Sequence, residues 1–345
     1  MLIYFIILLI AMAPTLLNVS RPKPTMPGFA AFFFVLLVFV GLRFHVGPDW
    51  DAYEGIYGMY SDYAAAELHE FSEPGFFLLN KACGSLGFGF QGVIFFCALM
   101  FLYGCFAFAR TTFDPWMAIA SVLPYLVYII AASGIRQAAA IGIGFLIVAR
   151  GTSMATVRRL LLVAVAMSFH NSAVILLLLV LLPLKVSALV RAVLIGGTAV
   201  VVAYNVGETE AVGKYSKVYL ESNVVSDGAF FHVLLIAFPA AVYLYNRKKM
   251  LVSVTEDPNV RAASYMAIGA IPLLAVSSTG FDRLSLYLSF VQMWVYPALV
   301  QAKIGSRGML ITMISGITLA TFFVYFRFGS HAFAYVPYRS ILFID

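Results

Sequence analysis

Twelve runs of apolar residues divide this chain, at 2–19, 29–42, 91–109, 115–132, 137–149, 160–169, 172–184, 190–205, 229–246, 262–279, 284–302 and 308–326. No soluble fold has interior enough to hide them all. A bilayer does, and each crossing takes roughly 20 apolar residues. A length of 345 residues therefore allows ten to twelve spans and leaves no room for a separate soluble domain. Charged residues make up 11% of the chain, against about 25% in an ordinary soluble domain. That balance excludes a disordered chain, a basic nucleic-acid-binding domain and an ordinary soluble enzyme. The expected fold is all-α: a single polytopic transmembrane helix bundle of about 10–12 spans. Residues 2–19 read as a retained first span, because no positive segment precedes the faint cleavage-like Ala11-Met12-Ala13.

Charge position sets the expected topology. One set of loops carries 14 of the 22 basic residues, among them Arg110, Arg150, Arg158, Arg159, Arg247, Lys248, Lys249 and Arg307, beside three of the 16 acids. The positive-inside rule assigns that set to the cytoplasm, which leaves both termini outside. The same rule resolves residues 160–184. A single span would put Arg158/Arg159 and Lys185/Arg191 on opposite sides of the membrane. Two short half-helices that enter and return keep both clusters cytoplasmic, with Ser168-Phe169-His170-Asn171-Ser172 at the turn. Irregular backbone at that depth is tolerated only inside protein or beside a wet cavity, so the turn is expected to belong to a site. Three outward segments are long: 43–90, 206–228 and 327–345. The first should carry short interfacial helices at 64–70 and 74–82, the second begun by Glu73 at its N-cap and Pro74 at N1.

Ionisable residues at span ends are costly and often functional, and here they gather on the outward side. Asp49, Trp50, Asp51 and Tyr53 follow a span directly. They suit an acidic interfacial loop, or sugar recognition. Three acids within Asp49–Glu54 would also suit a divalent cation, but no fourth ligand is identifiable, and no metal or cofactor is expected. Glu73 has helix capping as its plain explanation. Arg136 and Gln137 open a helix with no acid nearby in sequence. Snorkelling to headgroups would explain Arg136, and so would an anion held by its guanidinium and the helix N-terminus. His170 lies at the break between half-spans, where a hydrogen-bonded core histidine is the bland alternative. Arg283 and Tyr287 open another run, with Asp282 as a cap or ion-pair partner. Tyr338 and Arg339 form a basic-aromatic tail that would anchor at the interface or bind sugar and phosphate. Three guanidiniums suit a pyrophosphate, and carboxylates with tyrosines suit sugar hydroxyls. Cys83, Cys97 and Cys105 have neither disulfide nor metal spacing.

The ordered set Gly47-x-Asp49-x-Asp51-x-Tyr53, Glu73-Pro74-Gly75-Phe76, Arg136-Gln137, Phe169-His170-x-Ser172, Arg283-x-x-x-Tyr287 and Tyr335-x-x-Tyr338-Arg339 resembles the EpsG family over roughly residues 30–340. These are Wzy-like polymerases of exopolysaccharide and capsule synthesis. The resemblance implies a multi-pass enzyme of the bacterial inner membrane whose site faces the periplasm or cell exterior. Its donor and acceptor would be undecaprenyl-diphosphate-linked oligosaccharides, with chain-length regulators and other assembly proteins as membrane partners, and no nucleic acid. Among candidate bases Asp51 ranks first, with His170 and Glu73 close behind. Asp49, Trp50, Tyr53, Arg136, Gln137, Arg283, Tyr287, Tyr338 and Arg339 are the candidate substrate contacts. A flippase for lipid-linked oligosaccharide stays open, as do an O-antigen-ligase-like glycosyltransferase and a membrane-bound acyltransferase centred on His170.

Overall fold

A computed structural model describes residues 1–17, 26–63, 71, 73–182 and 228–343, with isolated positions 187, 193, 196 and 197. The expected helix at 64–70 and nearly all of the run 190–205 and of the loop 206–228 lie outside the described residues, as does Ser72. The described chain is all-α. Its helices are α1 (Leu2–Leu16), α2 (Met26–Gly41), α3 (Trp50–Ser61), α4 (Pro74–Ser85), α5 (Gly89–Ala109), α6 (Pro115–Ser133) and α7 (Ile135–Arg150). They continue as α8 (Thr156–Phe169), α9 (Leu176–Leu181), α10 (Ala229–Met250), α11 (Pro258–Leu273), α12 (Ser278–Ser285), α13 (Phe290–Gln301) and α14 (Arg307–Phe328). Four of these, α5, α6, α10 and α14, are long and apolar enough to cross a membrane alone, and Leu2–Leu16, Pro27–Gly41 and Asn171–Leu181 are shorter apolar helices. The arrangement is that of a polytopic membrane helix bundle, with shorter and broken apolar helices beside the four long ones.

Local sequence explains where the helices start and break. Asp114 accepts from the Met117 N–H at 3.1 Å and Pro115 takes N1 of α6. Asp257 accepts from Asn259 N–H at 2.8 Å and Pro258 takes N1 of α11. Each pairing supplies a partner for an orphan amide and places proline where its missing N–H costs nothing. Within α6, residues Leu123–Ile130 widen into a π-helix directly at Pro124.

The half-helix expectation is met in the chain path. Helix α8 ends at Phe169, His170 is extended, and a 3-10 turn over Asn171–Ile175 leads into α9. Arg159, near the start of α8, donates from Nη2 to the Leu179 carbonyl at 3.2 Å. That contact requires α9 to run back alongside α8.

Two ends of the bundle emerge. Thr15 and Asp114 meet at one, with Oγ1 donating to Oδ2 at 3.2 Å. The Tyr4 hydroxyl meets the tail at the other, donating to the Tyr335 carbonyl at 2.8 Å. Helices α5 and α7 run in the same direction between these ends and cross with backbone in contact. A Cβ on Gly104 would lie 1.9 Å from the Gly142 carbonyl oxygen, and one on Gly142 would lie 2.3 Å from that of Met100. Small residues at such a crossing let membrane helices approach closely. The crossing fixes α7, and with it Arg136 in its first turn, against the centre of the bundle.

Candidate active site

Glu73 occupies the N-cap position of α4, as expected, but its side chain caps nothing. The carboxylate is instead shared between two distant residues. Arg136 Nη1 donates to Oε2 at 2.5 Å, and His170 Nδ1 lies 2.6 Å from Oε1. The Asn171 N–H adds a longer bond to Oε1 at 3.4 Å. Only 7% of the Glu73 side chain is exposed, against 30% for Arg136 and 14% for His170. Each flanking element has a reason to be there. Pro74 starts α4, the break after Phe169 turns His170 out of its helix, and Gly134 starts α7. Gly75 permits the closeness of α4 to α8, since a Cβ there would meet Ser168 Oγ at 2.2 Å.

The Arg136 guanidinium sits over two rings, 5.4 Å from Tyr53 and 5.7 Å from Phe76. Its Nε is buried with no hydrogen-bond partner among the described residues. Burial pushes the Glu73 carboxyl up. The hydrogen bond and charge of His170, the Arg136 guanidinium and the Asn171 amide outweigh that and hold it below its ordinary value. The sign of the linkage follows. A carboxylate whose folded pKa is lowered stabilises the fold at neutral pH and loses that contribution as pH falls through its folded value. Thermal melts of Glu73→Gln in detergent should therefore show their largest deficit at pH 7. The deficit should shrink as pH falls below the ordinary carboxylate range of about 4.3.

Around this centre the remaining candidates separate. Gln137 is buried and donates from Nε2 to the Arg283 carbonyl at 2.7 Å, tying α12 to α7. The Arg283 guanidinium is exposed and pairs with no carboxylate among the described residues. Tyr287 is buried, its hydroxyl 3.1 Å from Ser172 Oγ, two residues past His170. Asp49 bonds to Ser133, three residues before Arg136. Asp51 stands apart, with 89% of its side chain exposed and His45 Nδ1 at 3.5 Å. Trp50 is buried among Phe44, His45 and Phe90. Tyr338 stacks on Phe39 at 4.5 Å and donates to its carbonyl at 2.8 Å. Arg339 is exposed, its carbonyl accepting from the Phe44 N–H at 3.0 Å, and no hydrogen bond or ion pair joins its guanidinium to Glu73, Arg136 or His170.

Two groupings were not anticipated. Arg43 is 3% exposed and donates to the carbonyls of Val40, Val46 and Ala132. His232 Nδ1 lies 3.2 Å from both Asp282 oxygens, its ring stacked on Tyr125 at 4.2 Å. Both residues sit where an apolar run begins or ends, the same signal that picked out Arg136. Asp282 is thus an ion-pair partner of His232, while the cap of α12 is Ser277, accepting from Gly280 N–H at 3.2 Å.

A carboxylate that fixes a histidine through Nδ1 leaves Nε2 to accept or pass a proton. An arginine with donors to spare beside it can face an anion. The model of the EpsG family matches residues 28–340. The chain belongs to the EpsG family. It is thus a membrane-embedded, all-α member of the EpsG, Wzy-like polymerase group. No curated protein and no solved structure matches this EpsG-family chain.

Proposed function

We propose that this EpsG-family protein polymerises oligosaccharide repeat units carried on undecaprenyl diphosphate, at the outer face of the bacterial inner membrane. The observation that carries this reading is the Glu73 carboxylate shared by Arg136 and His170. In one constellation it supplies a fixed base and a fixed cation, the two groups a transfer off a diphosphate needs. The acceptor sugar hydroxyl attacks the anomeric carbon of the donor chain while its proton passes to His170 Nε2. The bond from that carbon to the diphosphate oxygen breaks, and undecaprenyl diphosphate leaves. Arg136 and the exposed Arg283 offset the charge that grows on the phosphate oxygens, as fixed donors do better than water. Glu73 positions both partners and keeps His170 in the tautomer with a free Nε2, while Gln137 sets Arg283 and Tyr287 sets the turn after His170. Attack by a hydroxyl in one step inverts the anomeric centre. Asp51, so exposed, contributes at most a contact to sugar.

A deletion strain tests the reading in the cell. Single repeat units should accumulate on lipid outside the membrane, whereas loss of units from the outer leaflet would point to a flippase.

Orientation is tested separately. The native cysteines are all buried, so single reporters at exposed positions can be read against them. Glu54→Cys should react with a membrane-impermeant thiol reagent in intact spheroplasts, and Ser253→Cys should react only after lysis. Labelling of Ser253→Cys in intact cells would reverse the topology.

A further inference from the structure

A groove of about 480 Å³ lies at the end of the bundle opposite Glu73. We infer that it is a binding site for an anionic phospholipid such as phosphatidylglycerol, with the phosphodiester between Arg110 and Arg150 and the upper acyl carbons against Phe29, Phe33 and Phe106. The site follows from the helix crossing. Helices α5 and α7 run parallel and touch at Gly104 and Gly142. Arg110 lies six residues beyond the first and Arg150 eight beyond the second, roughly 9 and 12 Å along the axes. Past the crossing Ala107 and Arg110 on one side and Ala149 and Arg150 on the other line the groove, and α2 supplies the third wall. Phe29 and Phe33 pack on Phe106 at 4.6 and 5.2 Å, which makes that wall a continuous aromatic surface. Arg110 and Arg150 are both exposed at the groove mouth, and neither forms an ion pair with a described residue.

Helix C-termini and the cytoplasmic leaflet both attract arginine, which accounts for the charges but not for the apolar groove beneath them. An apolar cleft with two guanidiniums at its mouth, neither in an ion pair with a described residue, matches one amphiphile: acyl chains ending in a phosphate. A zwitterionic headgroup would set an ammonium beside those arginines, whereas glycerol adds no charge. The order of preference is therefore phosphatidylglycerol over phosphatidylcholine.

Native mass spectrometry of the full-length protein, released from nanodiscs of equimolar phosphatidylglycerol and phosphatidylcholine, tests this. Wild type should retain phosphatidylglycerol over phosphatidylcholine on the order of tenfold. The double variant Arg110→Gln/Arg150→Gln should lose that preference. Ala30→Trp, which fills the groove and leaves both arginines, should lose it too. Lys248→Gln/Lys249→Gln, exposed at the same end outside the groove, should keep it. The site is overturned if the arginine variant or Ala30→Trp retains the wild-type preference. It is equally overturned if the lysine variant loses as much as the arginine variant, since attraction would then be a property of the whole basic surface.

Discussion

Arg136→Lys should lower polymer yield by about 10²–10³-fold, the effect of removing one fixed donor from a developing oxyanion, while the protein still inserts at its normal level. Lysine keeps the charge but loses the planar fork. One ammonium cannot hold Glu73 Oε2 and at the same time present separate N–H groups to a diphosphate. The guanidinium also lies 5.4 Å from the Tyr53 ring and 5.7 Å from the Phe76 ring, contacts that a planar delocalised cation makes better than an ammonium. Arg283→Lys should cost less, because Arg283 is exposed and its carbonyl, not its side chain, is what Gln137 holds. Polymer at the wild-type level from Arg136→Lys, at equal protein abundance, would remove Arg136 from the diphosphate.

His170→Ala should slow chain growth by about 10²–10⁴-fold, the usual range for losing a general base, with lipid-linked substrate still bound. The imidazole Nδ1 is committed to Glu73 at 2.6 Å, so its other nitrogen is aimed by a carboxylate that is itself buried and paired. His170→Gln is the informative companion, since it can keep a hydrogen bond to Glu73 but cannot take a proton. If the histidine were only structural, glutamine would restore activity. Asp51→Asn in the same assay should work at close to the wild-type rate. A side chain 89% exposed has little to fix its position.

The sequence made some of this visible and concealed the rest for physical reasons. The bundle was legible because apolar runs of span length have one use. The return of the chain at His170 was legible because charge on both flanks forbade a single crossing. By local pattern Glu73 reads as a helix start, a sufficient explanation beside Pro74, which is why it stands behind Asp51 among the candidate bases. Its partners lie 63 and 97 residues away, a separation that no local pattern encodes. Asp51 ranks first in sequence for the same reason: a loop acid beside aromatics is conspicuous there, and its 89% exposure is not. The apparent isolation of Arg136 and of His170 was a statement about sequence neighbours, and packing gave both the same acid. Arg43 and His232 carried the signal of an ionisable residue at a span end, but their partners are backbone carbonyls in one case and Asp282 fifty residues away in the other.

In the proposed reaction, chain growth and loss of the lipid diphosphate are one event, performed by this protein alone. Purified protein, reconstituted with undecaprenyl-diphosphate-linked repeat units and no nucleotide, should build a ladder of polymer. It should release one undecaprenyl diphosphate for every new glycosidic linkage. Repeat units that merely move between leaflets, with no linkage formed and no undecaprenyl diphosphate released, would contradict it.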